Sequence, residues 1–151
     1  MKRSIIYIAS SILVLWLLHS LTACEVETHA KGNIDGNWYL VQIDTLETGG
    51  TIDVREARIF WGIQTNLVQL KSYYKYVNIF ILRFNMKDND TLLLYEPRFN
   101  DRDNHDPEVT DIVSLTHFGI NELQETFLIE QLTTSKMRLK SSKLRLYFEK
   151  F

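Results

Sequence analysis

Residues 136–151 read Lys136-Met-Arg-Leu-Lys-Ser-Ser-Lys-Leu-Arg-Leu-Tyr-Phe-Glu-Lys-Phe151, alternating apolar and charged side chains on both sides of the pair Ser141-Ser142. Successive side chains of a strand point to opposite faces, so a strict period of two sorts them into two sets. Met137 and Leu139 fall on one side, and Lys136, Arg138 and Lys140 on the other. After the serines, Leu144, Leu146 and Phe148 oppose Lys143, Arg145 and Glu149. A helix would scatter these residues around its axis. The stretch from 135 to 150 therefore reads as a hairpin with one buried face.

The same rhythm extends upstream. Phe80, Leu82, Phe84 and Met86 alternate with Ile79, Ile81, Arg83 and Asn85, and Asp88-Asn89-Asp90 turns the chain into Thr91–Tyr95 as a second hairpin. Further strands are expected at Asn37–Asp44, Arg58–Gln64, Leu67–Tyr74, Ile112–His117 and Thr126–Leu132, giving about nine in all. Helical spacing is nearly absent. Asn121–Glu125 and Thr51–Ala57 offer one turn each, too short to cover a sheet. An antiparallel sheet without helices must bury one face against itself, as a barrel or a sandwich. Consecutive short hairpins favour the up-and-down antiparallel barrel of about eight strands, which also leaves no exposed edge. The polar run Pro97–Glu108 is expected as an exposed loop at one mouth.

Composition agrees with a single folded domain. The chain has 151 residues, 45% hydrophobic and 12% aromatic, with two prolines and one cysteine. That excludes a disordered, collagen-like or disulfide-stapled protein. Seventeen basic against 19 acidic side chains give a net charge of −2, without the basic surplus of a nucleic-acid binder.

The first 23 residues form a separate unit. Lys2 and Arg3 precede an apolar run from Ile5 to Leu18, and His19-Ser20 leads to Leu21-Thr22-Ala23-Cys24. A basic start, an apolar core and small residues at a cleavage point make a secretory signal, and the apolar run is short for a membrane span. Leu21-Thr22-Ala23-Cys24 resembles the bacterial lipobox. The resemblance implies cleavage before Cys24 and attachment of diacylglycerol to its thiol. An uncleaved signal anchor is the competing reading. Cleavage removes two cations and no acid, leaving 128 residues with 15 basic and 19 acidic side chains. Residues 24–34 then form a tether, and 35–151 the barrel domain. Glu25 and Glu27 loosely resemble an acidic surface-export signal and equally suit a soluble tether.

Asp35-Gly36-Asn37-Trp38-Tyr39-Leu40-Val41 places Gly-x-Trp at the first strand. This resembles the opening of lipocalins and lipocalin-like proteins, where Gly permits a tight turn and Trp closes the barrel's base. His117-Phe-Gly-Ile120, Phe127-Leu-Ile-Glu-Gln-Leu132 and the 136–151 segment are similar to small lipocalin-like lipoproteins of Gram-negative gut bacteria. The resemblance implies a barrel and a cell-envelope location anchored by lipid to the outer membrane on its periplasmic or surface face, and it brings no information on activity. In lipocalins a basic residue of the last strand packs over the Trp, and the resemblance gives Arg145 that place beside Gly36 and Trp38. The second, loop-borne lipocalin signature is absent from this sequence.

Catalytic chemistry is not evident. His29, His105 and His117 are far apart and none pairs at metal-ligand spacing. No serine sits in a Gly-x-Ser-x-Gly setting. Asp101, Asp103, Asp106 and Glu108 supply alternate oxygens of the kind calcium uses, but the EF-hand positions for glycine and the final glutamate are not met. Lys71-Ser-Tyr-Tyr-Lys-Tyr76 interleaves bases with aromatics, as a glycan platform does on Tyr73, Tyr74 or Tyr76 and as any edge-protected strand also does. The expectation is a non-enzyme without cofactor, metal or nucleic-acid partner. Two functions remain open. The barrel either holds a small hydrophobic or amphipathic ligand, or is filled by its own side chains and serves as an accessory subunit of an envelope complex. Trp38, Leu40, Trp61, Phe80, Leu82, Phe84, Phe127, Leu146 and Phe148 are the expected inward residues, and bulk of that kind can plug a lumen.

Overall fold

Strands β8 (Lys136–Lys140) and β9 (Leu144–Lys150) form the expected C-terminal hairpin, pairing Met137 with Phe148 and Leu139 with Leu146. All four side chains are buried, as the alternation requires. The computed structural model describes residues 34–74 and 78–151. Before the hairpin come β1 (Gly36–Thr45), β2 (Thr51–Asp53), β3 (Ile59–Gln64), β4 (Leu67–Ser72), β5 (Phe80–Lys87), β6 (Thr91–Phe99) and β7 (Glu125–Leu132).

Every pairing is antiparallel, in the order β1-β3-β4-β5-β6-β7-β8-β9. The ring closes where β1 meets β9, with Trp38 opposite Lys150 and Leu40 opposite Phe148. A bulge at Val41 then shifts the register, so that Gln42 faces Tyr147. A bulge sharpens local bending, which a small barrel needs at its seam. β2 does not belong to the ring. It pairs with the second half of β1, while β3 takes the first half of the same edge. The result is a closed eight-stranded barrel.

Four sequence expectations change. Ile112–His117 is not a strand, because Val113–Thr116 is a single helical turn. Its apolar residues explain why: Ile112, Leu115 and Phe118 recur every third position, and all three pack on the core. Asn121–Glu125 is not helical, and Glu125 begins β7. Thr51–Ala57 is split between β2 and a 3-10 turn at Arg55–Ala57. The polar loop is also shorter than expected, since Pro97–Phe99 completes β6 and Arg98 bridges to Glu108.

Candidate functional site

The interior is the first place where an eight-stranded barrel can carry function. Trp61 on β3 meets Phe127 on β7 edge to face, with ring centroids 5.9 Å apart. In the strand order these two strands stand on opposite sides of the ring, so the contact spans its full width. Trp61 also meets Phe148 of β9 at 5.1 Å. Edge-to-face pairs of this kind are the favoured geometry of a packed aromatic core. The inward residues expected from sequence are all buried.

The connection between β6 and β7 closes one end. Leu115, Phe118 and Ile120 are fully buried, and Phe118 lies edge to face with Phe80 at 5.6 Å. The Trp61 indole donates a hydrogen bond of 3.3 Å to the Phe118 carbonyl. Gly119 has φ +83, and a Cβ there would stand 2.8 Å from Leu146. Glycine is therefore needed for both backbone and space. The segment acts as a stopper set into the barrel.

Under that stopper sits Glu125, 3% exposed and in phase with inward Phe127 and Ile129. One carboxylate oxygen accepts the Asn121 amide at 2.6 Å. Its other oxygen and the Asn121 side-chain nitrogen are buried without a hydrogen-bond partner among the described residues. Burial raises the Glu125 pKa, because desolvation disfavours the charged form, and the hydrogen bond from the Asn121 backbone amide offsets part of this. Sequence reasoning missed this acid by placing it in a helical turn. The signal was its parity with Phe127 and Ile129.

At the opposite end Gly36 and Trp38 form the expected corner. Trp38 is fully buried, and its indole donates to the Ile34 carbonyl at 2.7 Å. The cation over its ring is Lys150, 4.7 Å from the centroid, and not Arg145. Gly36 has φ +136, and a Cβ there would meet the Lys150 stem at 2.5 Å. The glycine thus clears the path by which Lys150 reaches both Trp38 and the Asp35 carbonyl, 2.7 Å away. Arg145 lies on the outer face instead and grips Glu130 through two bonds of 2.7 and 2.9 Å. Arg138 adds a third at 3.1 Å. Side chains alternate along β9, so Lys150 and Arg145 fall on different faces.

Of the remaining candidates, His117 Nε2 is 3.1 Å from Ser72 Oγ. The Ser72 hydroxyl also lies 2.9 Å from the Ala57 carbonyl, a second acceptor for its proton. Burial lowers the His117 pKa. In the acidic loop, Asp106 accepts the Asp101 amide at 2.9 Å and Asp101 accepts from Asn104 at 2.6 Å. Arg98 pairs with Glu108 at 2.9 Å. Among the described residues no three His, Cys, Asp or Glu side chains converge as metal ligands. Leu21, Thr22, Ala23, Cys24, His29 and Tyr76 lie outside the described residues.

The outer wall carries two adjoining features. Tyr39 and Phe60 stack at 5.0 Å, and Phe60 also meets Tyr73 at 5.7 Å and Phe151 at 5.3 Å, both edge to face. Tyr73 and Phe151 are 67% and 83% exposed, so this cluster is a surface shelf. Two residues further along β1 and β3, Asn37 faces Gly62 across the pairing. There begins an open groove of about 830 Å³, lined by Asn37, Gly62, Gln64, Asn66, Gln69 and Ile81 among others.

A model of the lipocalin-like domain family matches residues 19–151. Among solved structures, a lipocalin-like protein from Bacteroides uniformis is 23% identical, with a TM-score of 0.60 over 80% of this chain and 100% of that one. An uncharacterized protein from Bacteroides eggerthii is also 23% identical, with a TM-score of 0.56 over 78% of this chain and 98% of that one. At that identity the likeness is one of fold. Among curated proteins none matches.

Proposed function

The chain belongs to the lipocalin-like domain family, and from that premise we propose a non-catalytic cell-envelope lipoprotein that works through its outer surface. In this reading Cys24 carries the lipid, residues 24–34 tether it, and the barrel is an accessory or interaction subunit at the outer membrane. The contact between Trp61 and Phe127 carries the proposal, because side chains that meet across the whole barrel leave its centre to the protein's own core.

A second reading keeps the lumen as a site for a small hydrophobic or amphipathic ligand. The observation that favours it is the pair of groups at the stopper without a partner among the described residues, an acceptor on Glu125 and a donor on Asn121. A ligand would have to displace Phe118 and place a polar head there.

Mass spectrometry of the protein isolated from its native membrane tests the anchor. Cys24 as residue one with diacylglycerol attached is expected. A free N-terminus at another residue, or an intact leader, contradicts it. Organic extraction of the same sample distinguishes the two readings. Only the anchor's acyl chains are expected, and a stoichiometric non-covalent molecule would favour the lumen.

A further inference from the structure

We propose that the outer groove beside Gly62 binds a neutral carbohydrate chain, with the aromatic shelf of Tyr39, Phe60, Tyr73 and Phe151 as its stacking surface. The inference rests on the outer wall being the working surface, but not on the lipid anchor. Four carboxamides, those of Asn37, Gln64, Asn66 and Gln69, line one depression together with the apolar Ile81. A carboxamide presents a donor and an acceptor side by side, which matches neighbouring sugar hydroxyls that each donate and accept. Sugar rings also have apolar faces that lie against aromatic rings, and the shelf provides these two residues further along the same strands.

Charge argues against an anionic ligand, because the lining carries no cation and its charged residue is the acid Asp35, a further acceptor for sugar hydroxyls. The nearest outward cation on β5, Arg83, is outside the lining and already pairs with Glu96 at 3.0 Å. Lys71, opposite Phe60, is also outside it. The groove's volume falls within the range of about 300–1,000 Å³ usual for small-ligand sites.

Gly62 is what opens the groove. It faces outward in the middle of β3, where β-branched and aromatic residues are favoured, and it has no positive φ to explain it. A Cβ there would stand 3.2 Å from Asn37 Oδ1 and within 3.9 Å of Gln69. Any longer side chain would enter the depression between these two amides. The backbone conformation at Gly62 suits any residue, and a side chain there requires Asn37 to give way by a few tenths of an ångström.

The test titrates the purified full-length protein with neutral oligosaccharides of gluco, manno, xylo and galacto configuration, followed by calorimetry. Saturable binding of at least one at about 1 mM or below is expected. Gly62→Gln, Gln69→Ala and Phe60→Ala should each weaken it by about tenfold or more. Leu128→Ala, on the outer face of β7 across the ring, should leave it unchanged. Circular dichroism confirms that each variant folds, and Gln69→Ala keeps the test valid if Gly62→Gln does not. Absence of binding up to about 10 mM overturns the proposal, as does binding that survives all three variants. Concentration-dependent self-association lost in Phe60→Ala, with no sugar bound, would also overturn it and assign the shelf to a second copy.

Discussion

Glu125 shows how one residue can set the pH response of this barrel. It is the charged side chain among the described residues that the core encloses, and desolvation holds its pKa above the ordinary 4.5. A raised carboxyl stabilises the fold fully below about pH 4.5 and loses that contribution as pH rises through the folded value. Glu125→Gln keeps the shape and removes the ionisation. Between pH 4 and 8 the urea midpoint of the parent should fall with rising pH relative to that of the variant. Parallel profiles would show that Glu125 is solvated. His117 works in the opposite sense, because its lowered pKa costs stability as pH falls below about 6.5. The parity of Glu125 with Phe127 was readable from sequence, but an acid next to Asn121-Glu122 looked like turn chemistry. Arg145 was misassigned for a simpler reason. Alternation puts it on the outer face with Arg138, whereas Lys150, five residues on, shares the face of Trp38.

At the scale of elements, the strands were legible wherever one face is buried. The pairs 136–150 and 80–95 alternate because the core lies on one side and solvent on the other. Legibility failed in the β6–β7 connection, which packs along its length instead of by alternation. Ile112 and Val113 invited a strand reading by their branching. The spacing of Ile112, Leu115 and Phe118 was the better guide, since three residues per repeat place them on one side of a helical turn. The stopper contributes to the core through Phe118 above all, with its ring on Phe80 and its carbonyl on Trp61. Phe118→Ala should cost about 3–5 kcal/mol in equilibrium unfolding, the usual range for a buried aromatic replaced by alanine. A cost under about 1 kcal/mol would mean that the segment rests on the barrel without being part of its core.

For the molecule as a whole, closure and filling are linked. An eight-stranded ring is just wide enough for side chains to fill or for one small ligand to occupy. Here large residues converge from facing walls, with Trp38 and Ile34 at one end, Trp61, Phe127 and Phe148 in the middle, and Phe118 at the other end. The count of bulky inward positions was visible in the sequence. Whether they meet was not, because contact across the ring depends on strand tilt and on the bulge at Val41. The outer groove was equally hidden. Tyr73 and Tyr74 drew notice as a run, while Gly62, Asn37 and Gln69 come together only once β1, β3 and β4 are in register.

The barrel interior is occupied by the protein's own side chains, which meet across the ring. Titration with cis-parinaric acid, read by energy transfer from tryptophan, tests it most directly. A filled interior gives no saturable transfer, with tryptophan emission unchanged across the titration. A saturable one-to-one signal that is lost in Trp61→Phe and strengthened in Phe118→Ala would contradict it and identify the lumen as a ligand site.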